Sequence, residues 1–244
     1  MRLHFPETVQ EAVSLRKSTG GMYIAGGTVI MVDRTKGKKI PEDLVALERI
    51  EELHTIRETD CAIEIGASCT FAQILACKAV QTYCTALYQA ASHIGGPQLR
   101  NRGTIGGNFA CNSPASDAVA PILVLDPQIV REDDLIVRFV FGKDPGTRSA
   151  FRKVGKRTSL AVSAVSIAVC AKGSGIRVAV GSCAPKVVFC GKTSRCLSEG
   201  GSIQSAKDIL MTEISPIDDR WESAGYRREV CRNLLEQLCR EVAG

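Results

Sequence analysis

The feature that most constrains the fold is a glycine-dense stretch, residues 95–117. It reads Gly-Gly-Pro-Gln-Leu-Arg-Asn-Arg-Gly-Thr-Ile-Gly-Gly-Asn-Phe-Ala-Cys-Asn-Ser-Pro-Ala-Ser-Asp, with five glycines in its first 13 residues. Glycine lets the backbone adopt positive φ and approach a ligand that a Cβ would keep away. The neighbouring hydroxyls, amides and two arginines, Arg100 and Arg102, suit a phosphate or pyrophosphate group. By itself the stretch is also compatible with a glycine-rich connection between strands.

A second glycine pair favours the ligand-binding interpretation. Residues 22–30 read Met-Tyr-Ile-Ala-Gly-Gly-Thr-Val-Ile, a short apolar strand that leads into Gly26 and Gly27. This is not the G-x-G-x-x-G pattern of a Rossmann site, and the chain has no Walker A lysine motif. The sequence therefore indicates an anion site of another kind, built from two separate glycine segments.

Composition and charge exclude several classes of function. The chain has 244 residues, 45% hydrophobic and 23% charged, with a net charge of only +5 and no Lys/Arg block, so we expect no nucleic-acid partner. No apolar run approaches the ~18 residues of a membrane span. Residues 1–11 show no signal peptide, so the expected location is the cytoplasm.

The cysteines and histidines predict neither a metal site nor a catalytic constellation. The eleven cysteines are dispersed and no C-x-x-C occurs, so neither a zinc ribbon nor a ferredoxin-type cluster is predicted. His4, His54 and His93 are isolated in the sequence. The chemistry of the protein is therefore expected to belong to a cofactor.

Hydrophobic periodicity predicts both helices and strands, and a turn with a domain boundary is expected at Asp144-Pro145-Gly146. A helix over 7–19 is expected to end at Gly20-Gly21. The other predicted helices are 69–75, 82–93, 117–125, 203–211 and 223–242. The predicted strands are 22–25, 44–47, 62–67, 128–130, 135–141, 176–181 and 186–189, and 160–171 is a long apolar segment.

At this point the motifs are similar to those of a known family. A-G-G-T (25–28) and R-N-R-G-T-I-G-G-N (100–108), followed by N-S-P-A-S-D (112–117), resemble the FAD-binding subunit of the molybdenum hydroxylases. This group includes the xanthine, carbon monoxide and nicotinate dehydrogenases. The resemblance continues in the right order over nearly the whole chain, through I-G-A (65–67), K-V-G-K-R (153–157), G-S-C-A-P (181–185) and P-I-D-D-R-W-E-S-A-G-Y-R-R (216–228).

The resemblance implies a fold and a domain organisation. The expected fold is α+β, with two subdomains of the vanillyl-alcohol-oxidase (PCMH) type holding FAD between them. A C-terminal domain with a three-stranded sheet and helices follows. The expected boundaries are 1–55 and 56–145 for the FAD-binding subdomains and 146–244 for the C-terminal domain.

The resemblance also implies the cofactor site. The two glycine pairs would bring backbone N–H groups onto the FAD pyrophosphate, and Thr104 and Asn108 would add side-chain hydrogen bonds. The expected cofactor-binding set is Met22, Tyr23, Ile24, Ala25, Gly26, Gly27, Thr28, Val29, Ile94, Gly103, Thr104, Ile105, Gly106, Gly107, Asn108, Ser116, Asp117, Leu135 and Lys153.

Four of these residues have a structural alternative. Asp117 either lies near the dinucleotide or caps the following helix. Lys153 is either a cation beside the isoalloxazine ring, where it would stabilise reduced flavin, or a solvated surface lysine. Ile94 and Leu135 either border the ring or pack in the core.

The implied function is that of an FAD-carrying electron-transfer subunit. Its partners would be a molybdopterin-binding large subunit and a [2Fe–2S] small subunit, with NAD⁺ or another molecule as acceptor and little catalysis by the chain alone. A stand-alone flavin oxidase of the same fold and a flavin-free assembly subunit are the alternatives.

Two departures from the family pattern concern the cofactor site. Val29 stands where the family usually has a polar residue. The segment between Asp126 and Leu135 is also short, through either a real deletion or a loop missing from the sequence.

Overall fold

The computed structural model describes residues 1–156, 162–220 and 222–243. Arg157 and Trp221 of the motifs quoted above, residues 160–161 of the predicted apolar segment, and Gly244 lie outside the described residues. The described chain forms three sheets with helices between and around them, which confirms the predicted α+β class.

The first sheet has three parallel strands in the order β1-β3-β2. The helix that connects β1 to β2 along the chain begins after Thr8, whose Oγ1 accepts the Glu11 amide at 3.2 Å. It ends where Gly20 takes a φ of 65°, so the predicted helix and its glycine stop are confirmed. The elements are β1 (Arg2–His4), α1 (Val9–Thr19), β2 (Met22–Ile24), α2 (Ile30–Thr35) and β3 (Asp43–Ala46), followed by a 3-10 turn (Glu51–His54).

The second sheet has four antiparallel strands in the order β4-β5-β7-β6, and six helices lie between β5 and β6. The predicted helix 82–93 is wrong in one respect. It is interrupted at Cys84, whose φ of −124° and ψ of 47° leave the helical region. The elements are β4 (Ile56–Glu58), β5 (Ala62–Gly66), α3 (Phe71–Ala76), α4 (Lys78–Tyr83), α5 (Thr85–His93), α6 (Pro97–Arg100), α7 (Ile105–Cys111), α8 (Val119–Leu125), β6 (Gln128–Glu132) and β7 (Leu135–Gly142).

The short segment between Asp126 and Leu135 forms strand β6 and the tight turn of a β-hairpin with β7. Strands β6 and β7 pair directly across a two-residue turn, Asp133-Asp134, in which Asp133 has a φ of 53°. The turn is held against the end of α1 by two ion pairs, Lys17 Nζ–Asp133 Oδ2 at 3.0 Å and Arg16 Nη2–Asp134 Oδ2 at 3.3 Å. The second sheet is thereby attached to the first helix.

The third sheet is antiparallel, in the order β11-β10-β9-β8. Three strands were expected here; the structure has three long strands and adds a two-residue fourth strand at the edge. The elements are β8 (Arg148–Val154), β9 (Val165–Lys172), β10 (Gly175–Gly181), β11 (Val188–Phe189), α9 (Gly191–Ser198), α10 (Ile203–Glu213) and α11 (Ala224–Ala243).

The third sheet is covered on both faces along its strand β9, which explains why that strand is mainly apolar. Along β9, Ile167 and Val169 pack in one cluster with residues of α11, and Ala168 and Cys170 pack in another with residues of α5 and α8. Side chains alternate between the faces of a strand, so a strand covered on both faces is mainly apolar, as β9 is apart from Ser166 and Lys172 at its end. Helices α5 and α8 therefore join the second sheet's layer to the third.

No helix in the described part of the chain has the length and apolar character needed to cross a bilayer.

Candidate cofactor site

A cleft of about 530 Å³ lies where the loop after β2 meets the start of α7. This volume falls in the ~300–1,000 Å³ range of small-molecule sites. Its lining consists of Arg16, Met22, Tyr23, Ala25, Gly26, Gly27, Thr28, Val29, Ile30, Asp33, Phe71, Ile94, Leu99, Gly103, Thr104, Gly107, Asn108, Ala110, Cys111 and Asp134.

The two glycine segments touch each other at Gly26. A Cβ added there would lie 1.8 Å from the carbonyl oxygen of Arg102, so no side chain fits without moving the backbone of the second segment. Gly27 adopts a φ of 70°, which L side chains rarely tolerate. The sequence pattern thus reflects a close backbone approach at one glycine and a left-handed conformation at the next.

The first segment presents a run of backbone donors to the cleft. The N–H groups of residues 26–29 donate to no acceptor among the described residues, although the carbonyls of Gly27 and Val29 accept the first bonds of α2, from Met31 and Asp33. All four residues line the cleft. Consecutive free amides at such a position are a cradle for an anion.

The second segment is a helix start, whereas it was expected to be a loop. Thr104 caps α7, and its Oγ1 accepts the Gly107 amide at 3.1 Å. Gly106 does not line the cleft: its amide donates to the Ala67 carbonyl at 2.8 Å, and an added Cβ would lie 2.6 Å from that oxygen. The expectation that Gly106 offers its amide to a pyrophosphate is therefore not met, because this glycine serves the packing of α7 on the residue after β5.

Asn108 has one structural contact and one free group. Its Oδ1 accepts the Ala118 amide at 3.3 Å at the start of α8, and the residue lines the cleft. Its side-chain NH₂ remains a potential donor to a ligand.

Asp117 and Lys153 form a buried ion pair away from the cleft lining. Lys153 Nζ lies 2.6 Å from Asp117 Oδ2, and the two side chains are only 9% and 6% exposed. Ser163 Oγ donates to the other Asp117 oxygen at 2.5 Å, and Lys153 also donates to the His93 carbonyl at 3.3 Å. Asp117 does not cap α8, which has no side-chain cap, and Lys153 is not a solvated surface lysine.

The other expected residues outside the lining belong to the interior. Leu135 packs with Val9, Leu47 and Val137, the core alternative considered for it. Ile94 both lines the cleft and packs in the core. The remaining positions outside the lining are Ile24, Ile105, which is fully buried, and Ser116, whose Oγ accepts the Ser113 amide.

Three charged residues of the lining, Arg16, Asp33 and Asp134, were not predicted from the sequence. Tyr23 donates from its hydroxyl to Asp134 Oδ1 at 3.0 Å, and Arg16 pairs with the same carboxylate. Burial, with the Asp134 hydrogen bond, raises the pKa of Tyr23. Asp33, the third, pairs with Lys38 at 2.8 Å. Tyr23 and Asp134 are 111 positions apart, so no local pattern could connect them.

The two arginines of the glycine-dense stretch, Arg100 and Arg102, do not supply positive charge to the cleft. The guanidinium of Arg100 donates to the carbonyls of Ser92, Ile94 and Gly95 and so closes the end of α5. Arg102 contributes its backbone to the contact with Gly26. Neither arginine is in the lining.

Comparison with known proteins agrees with this geometry. Residues 1–134 match the family model described as the FAD binding domain in molybdopterin dehydrogenase. This chain belongs to that family. Residues 149–242 match the CO dehydrogenase flavoprotein C-terminal domain.

Individual members of the molybdopterin dehydrogenase family are similar along most of the chain. The nicotinate dehydrogenase FAD-subunit of Eubacterium barkeri is 32% identical over 66% of this chain, a match that spans 64% of that protein's length. The carbon monoxide dehydrogenase medium chain of Hydrogenophaga pseudoflava is 27% identical over 96% of this chain and 94% of its own. A chain in the solved carbon monoxide dehydrogenase of that organism superposes with a TM-score of 0.88, at 25% identity, covering 98% of this chain and 96% of that one.

The chain is thus an FAD-binding subunit of a dehydrogenase of the molybdenum hydroxylase family, and its cofactor is FAD. The residues present fit that group, since the cleft offers four free consecutive amides, a hydroxyl at Thr104 and an NH₂ at Asn108. Within the described residues no group of three His, Cys, Asp or Glu side chains is placed to hold a metal ion.

Proposed function

We propose that the cleft holds FAD with its diphosphate on the amides of residues 26–29, and that the chain is the electron-transfer subunit of a three-part molybdenum hydroxylase. The observation that carries the binding proposal is the run of four free amides in a cleft between two touching glycine segments. Bound FAD would supply the redox chemistry, accepting electrons from [2Fe–2S] clusters of a small subunit and passing them to NAD⁺ or another acceptor.

The assembly proposal rests on the relatives, which are named as FAD-subunits and medium chains of dehydrogenases. Substrate would be oxidised on a molybdopterin-binding large subunit, and this chain alone would have little catalytic activity. The complex would work in the cytoplasm.

In this proposal the chain's own residues hold the dinucleotide mainly by neutral donors. Thr104 accepts from Gly107 and keeps its hydroxyl hydrogen for the ligand, and Asn108 keeps its NH₂. The charged lining residues are one cation, Arg16, and two carboxylates, Asp33 and Asp134. Because no net positive charge faces the diphosphate, FAD affinity should depend only weakly on ionic strength.

Two cysteines provide a footprint for the bound cofactor. Cys61 and Cys111 are both exposed, but only Cys111 lines the cleft. FAD should slow alkylation of Cys111 and leave Cys61 unchanged, and peptide mass spectrometry would follow both sites in the same sample. Equal rates at Cys111 with and without saturating FAD would contradict the placement of the site.

Spectroscopy tests the cofactor and the acceptor. The purified chain should show the paired near-ultraviolet and blue bands of oxidised flavin, and heating should release FAD. Anaerobic addition of NADH should bleach the blue band if NAD⁺ is the acceptor, whereas a persistent band would point to another acceptor. A colourless chain that takes up no added FAD would overturn the proposal.

A further inference from the structure

Two buried thiols of the C-terminal domain lie in contact. Cys183 follows the end of β10 and Cys231 lies on α11, and their sulfur atoms are 3.4 Å apart. Both residues are completely buried and belong to the core between the third sheet and α11. A disulfide has an S–S distance of about 2.05 Å, so a sulfur displacement of little more than 1 Å would allow the bond to form.

Arg227, whose guanidinium forms an ion pair with Asp219 at 2.8 Å, lies near this pair of thiols. It lies one helical turn before Cys231 on α11, and its guanidinium donates to the carbonyls of Ser182 at 2.9 Å and Ala164 at 2.5 Å. The hydrogen bond from Cys231 lowers the pKa of Cys183 against the effect of burial, and Arg227 adds to that lowering. The shared proton and burial raise the pKa of Cys231. Cys183 is therefore the more acidic thiol of the pair, and the thiolate is the form that reacts with an oxidant.

A cavity reaches the residues on either side of Cys183. Its volume is about 380 Å³, and its lining includes Ser182, Ala184 and Arg227. This volume is ample for hydrogen peroxide, but both thiols are fully buried and absent from the lining, so their oxidation requires the core to open locally beside Ser182. The other buried cysteine of the same core, Cys190, donates to the Val188 carbonyl and has no thiol in contact among the described residues.

We propose that Cys183 and Cys231 are a peroxide-oxidisable dithiol, whose disulfide fastens α11 to the end of β10. The Cys183 thiolate would attack one peroxide oxygen, the O–O bond would break, and the product would be a sulfenic acid and, after protonation, water. The Cys231 sulfur would then attack the Cys183 sulfur, forming the S–S bond and breaking the S–O bond, with release of a second water. Two thiols and one hydrogen peroxide thus give one disulfide and two waters.

Tryptic mapping of the full chain, carrying its FAD, tests the proposal directly. The native protein is treated with hydrogen peroxide, alkylated, denatured and digested. Trypsin places Cys183 in peptide 178–186 and Cys231 in peptide 229–232, and each peptide contains a single cysteine. The expected product is these two peptides linked, with a mass lower than their sum by two hydrogens, and with loss of both alkylated forms.

Variants and stability supply independent readouts. Cys190→Ala, in the same core, should leave the link intact, whereas Cys183→Ser and Cys231→Ser should abolish it. Because the bond closes a separation of 48 positions, oxidation should also raise Tm by several degrees, up to roughly 10 °C, and dithiothreitol should reverse the rise.

Two results would overturn the proposal, and neither depends on whether a variant folds. The first is an unlinked pair in wild-type protein whose exposed Cys61, which lies outside the FAD cleft, has been oxidised by the same peroxide. The second is Cys183 linked to Cys190 or converted only to sulfinic acid.

Discussion

Replacement of Lys153 by methionine should strongly destabilise the protein, because it leaves the Asp117 carboxylate buried without its counter-ion. The pair has an N–O distance of 2.6 Å, with the two side chains 9% and 6% exposed. Removing one partner of a buried ion pair costs about 3–5 kcal/mol. At roughly 2–4 °C per kcal/mol for a chain of this size, Tm should fall by about 6–20 °C. Adding Asp117→Asn removes the second charge, so the double variant should recover part of the loss.

The assay is thermal unfolding at a fixed, saturating FAD concentration, because bound ligand itself raises Tm. Arg152→Met is the matched control: Arg152 is the preceding residue on β8, and its ion pair with Glu241 is 36% exposed on both sides. That exposed pair should contribute no more than about 1 kcal/mol. If Lys153→Met costs no more than the control but shifts the flavin midpoint potential, the buried-pair account is refuted and Lys153 acts on the flavin.

Three further predictions concern the cleft and the ends of the sheets. Thr104→Ala should weaken FAD binding and cost about 1 kcal/mol of stability through the lost helix cap, measured by flavin titration and chemical unfolding; Thr104→Ser, which keeps the hydroxyl, should lose little of either. Gly106→Ala should destabilise the chain by about 1–3 kcal/mol, because its Cβ would lie 2.6 Å from the Ala67 carbonyl oxygen. The control, Gly142→Ala, should cost much less, because the nearest atom to its Cβ would be 3.8 Å away. Equal losses of stability in the two variants would contradict the packing role of Gly106. Hydrogen bonds from the basic side chains of β1 lower the pKa of Asp43, so this carboxylate stabilises β1 at neutral pH and the stability is lost as pH falls through the lowered value. The hydrogen-exchange protection factors of β1, taken relative to the intrinsic rate at each pH, should fall in acid in the wild type, and Asp43→Asn should show reduced protection already at neutral pH.

Much of the fold could be predicted because its signals are local. Val9, Ala12 and Val13 lie on the buried face of α1, and the same helix ends at Gly20 in the left-handed conformation, as the pattern requires. Gly26, Gly27 and Gly107 of the two predicted glycine pairs line one cleft, whereas Gly106 lies outside it. These signals are readable because each depends on a few adjacent residues.

Local sequence patterns could not predict the break between two helices at Cys84 or the packing of the β6–β7 hairpin turn against α1. Helix α5 continues one apolar pattern from α4, and only the backbone angles of Cys84 separate them. The turn Asp133-Asp134 contacts Arg16 and Lys17, which lie more than a hundred positions earlier in the chain. Contacts at such separations depend on how the sheets pack.

The family, the cofactor and the glycine segments that enclose the cleft could be inferred from the amino-acid sequence alone, because close backbone approach excludes a side chain and positive φ favours glycine. Only the tertiary structure decided how those residues are used. It gave the Gly106 amide to the Ala67 carbonyl, paired Lys153 with Asp117 in the interior, and left the amides of residues 26–29 free. A hydrogen bond or an ion pair needs a partner at about 3 Å, and the partners of Gly106 and Lys153 come from segments more than 30 positions away that folding brings together.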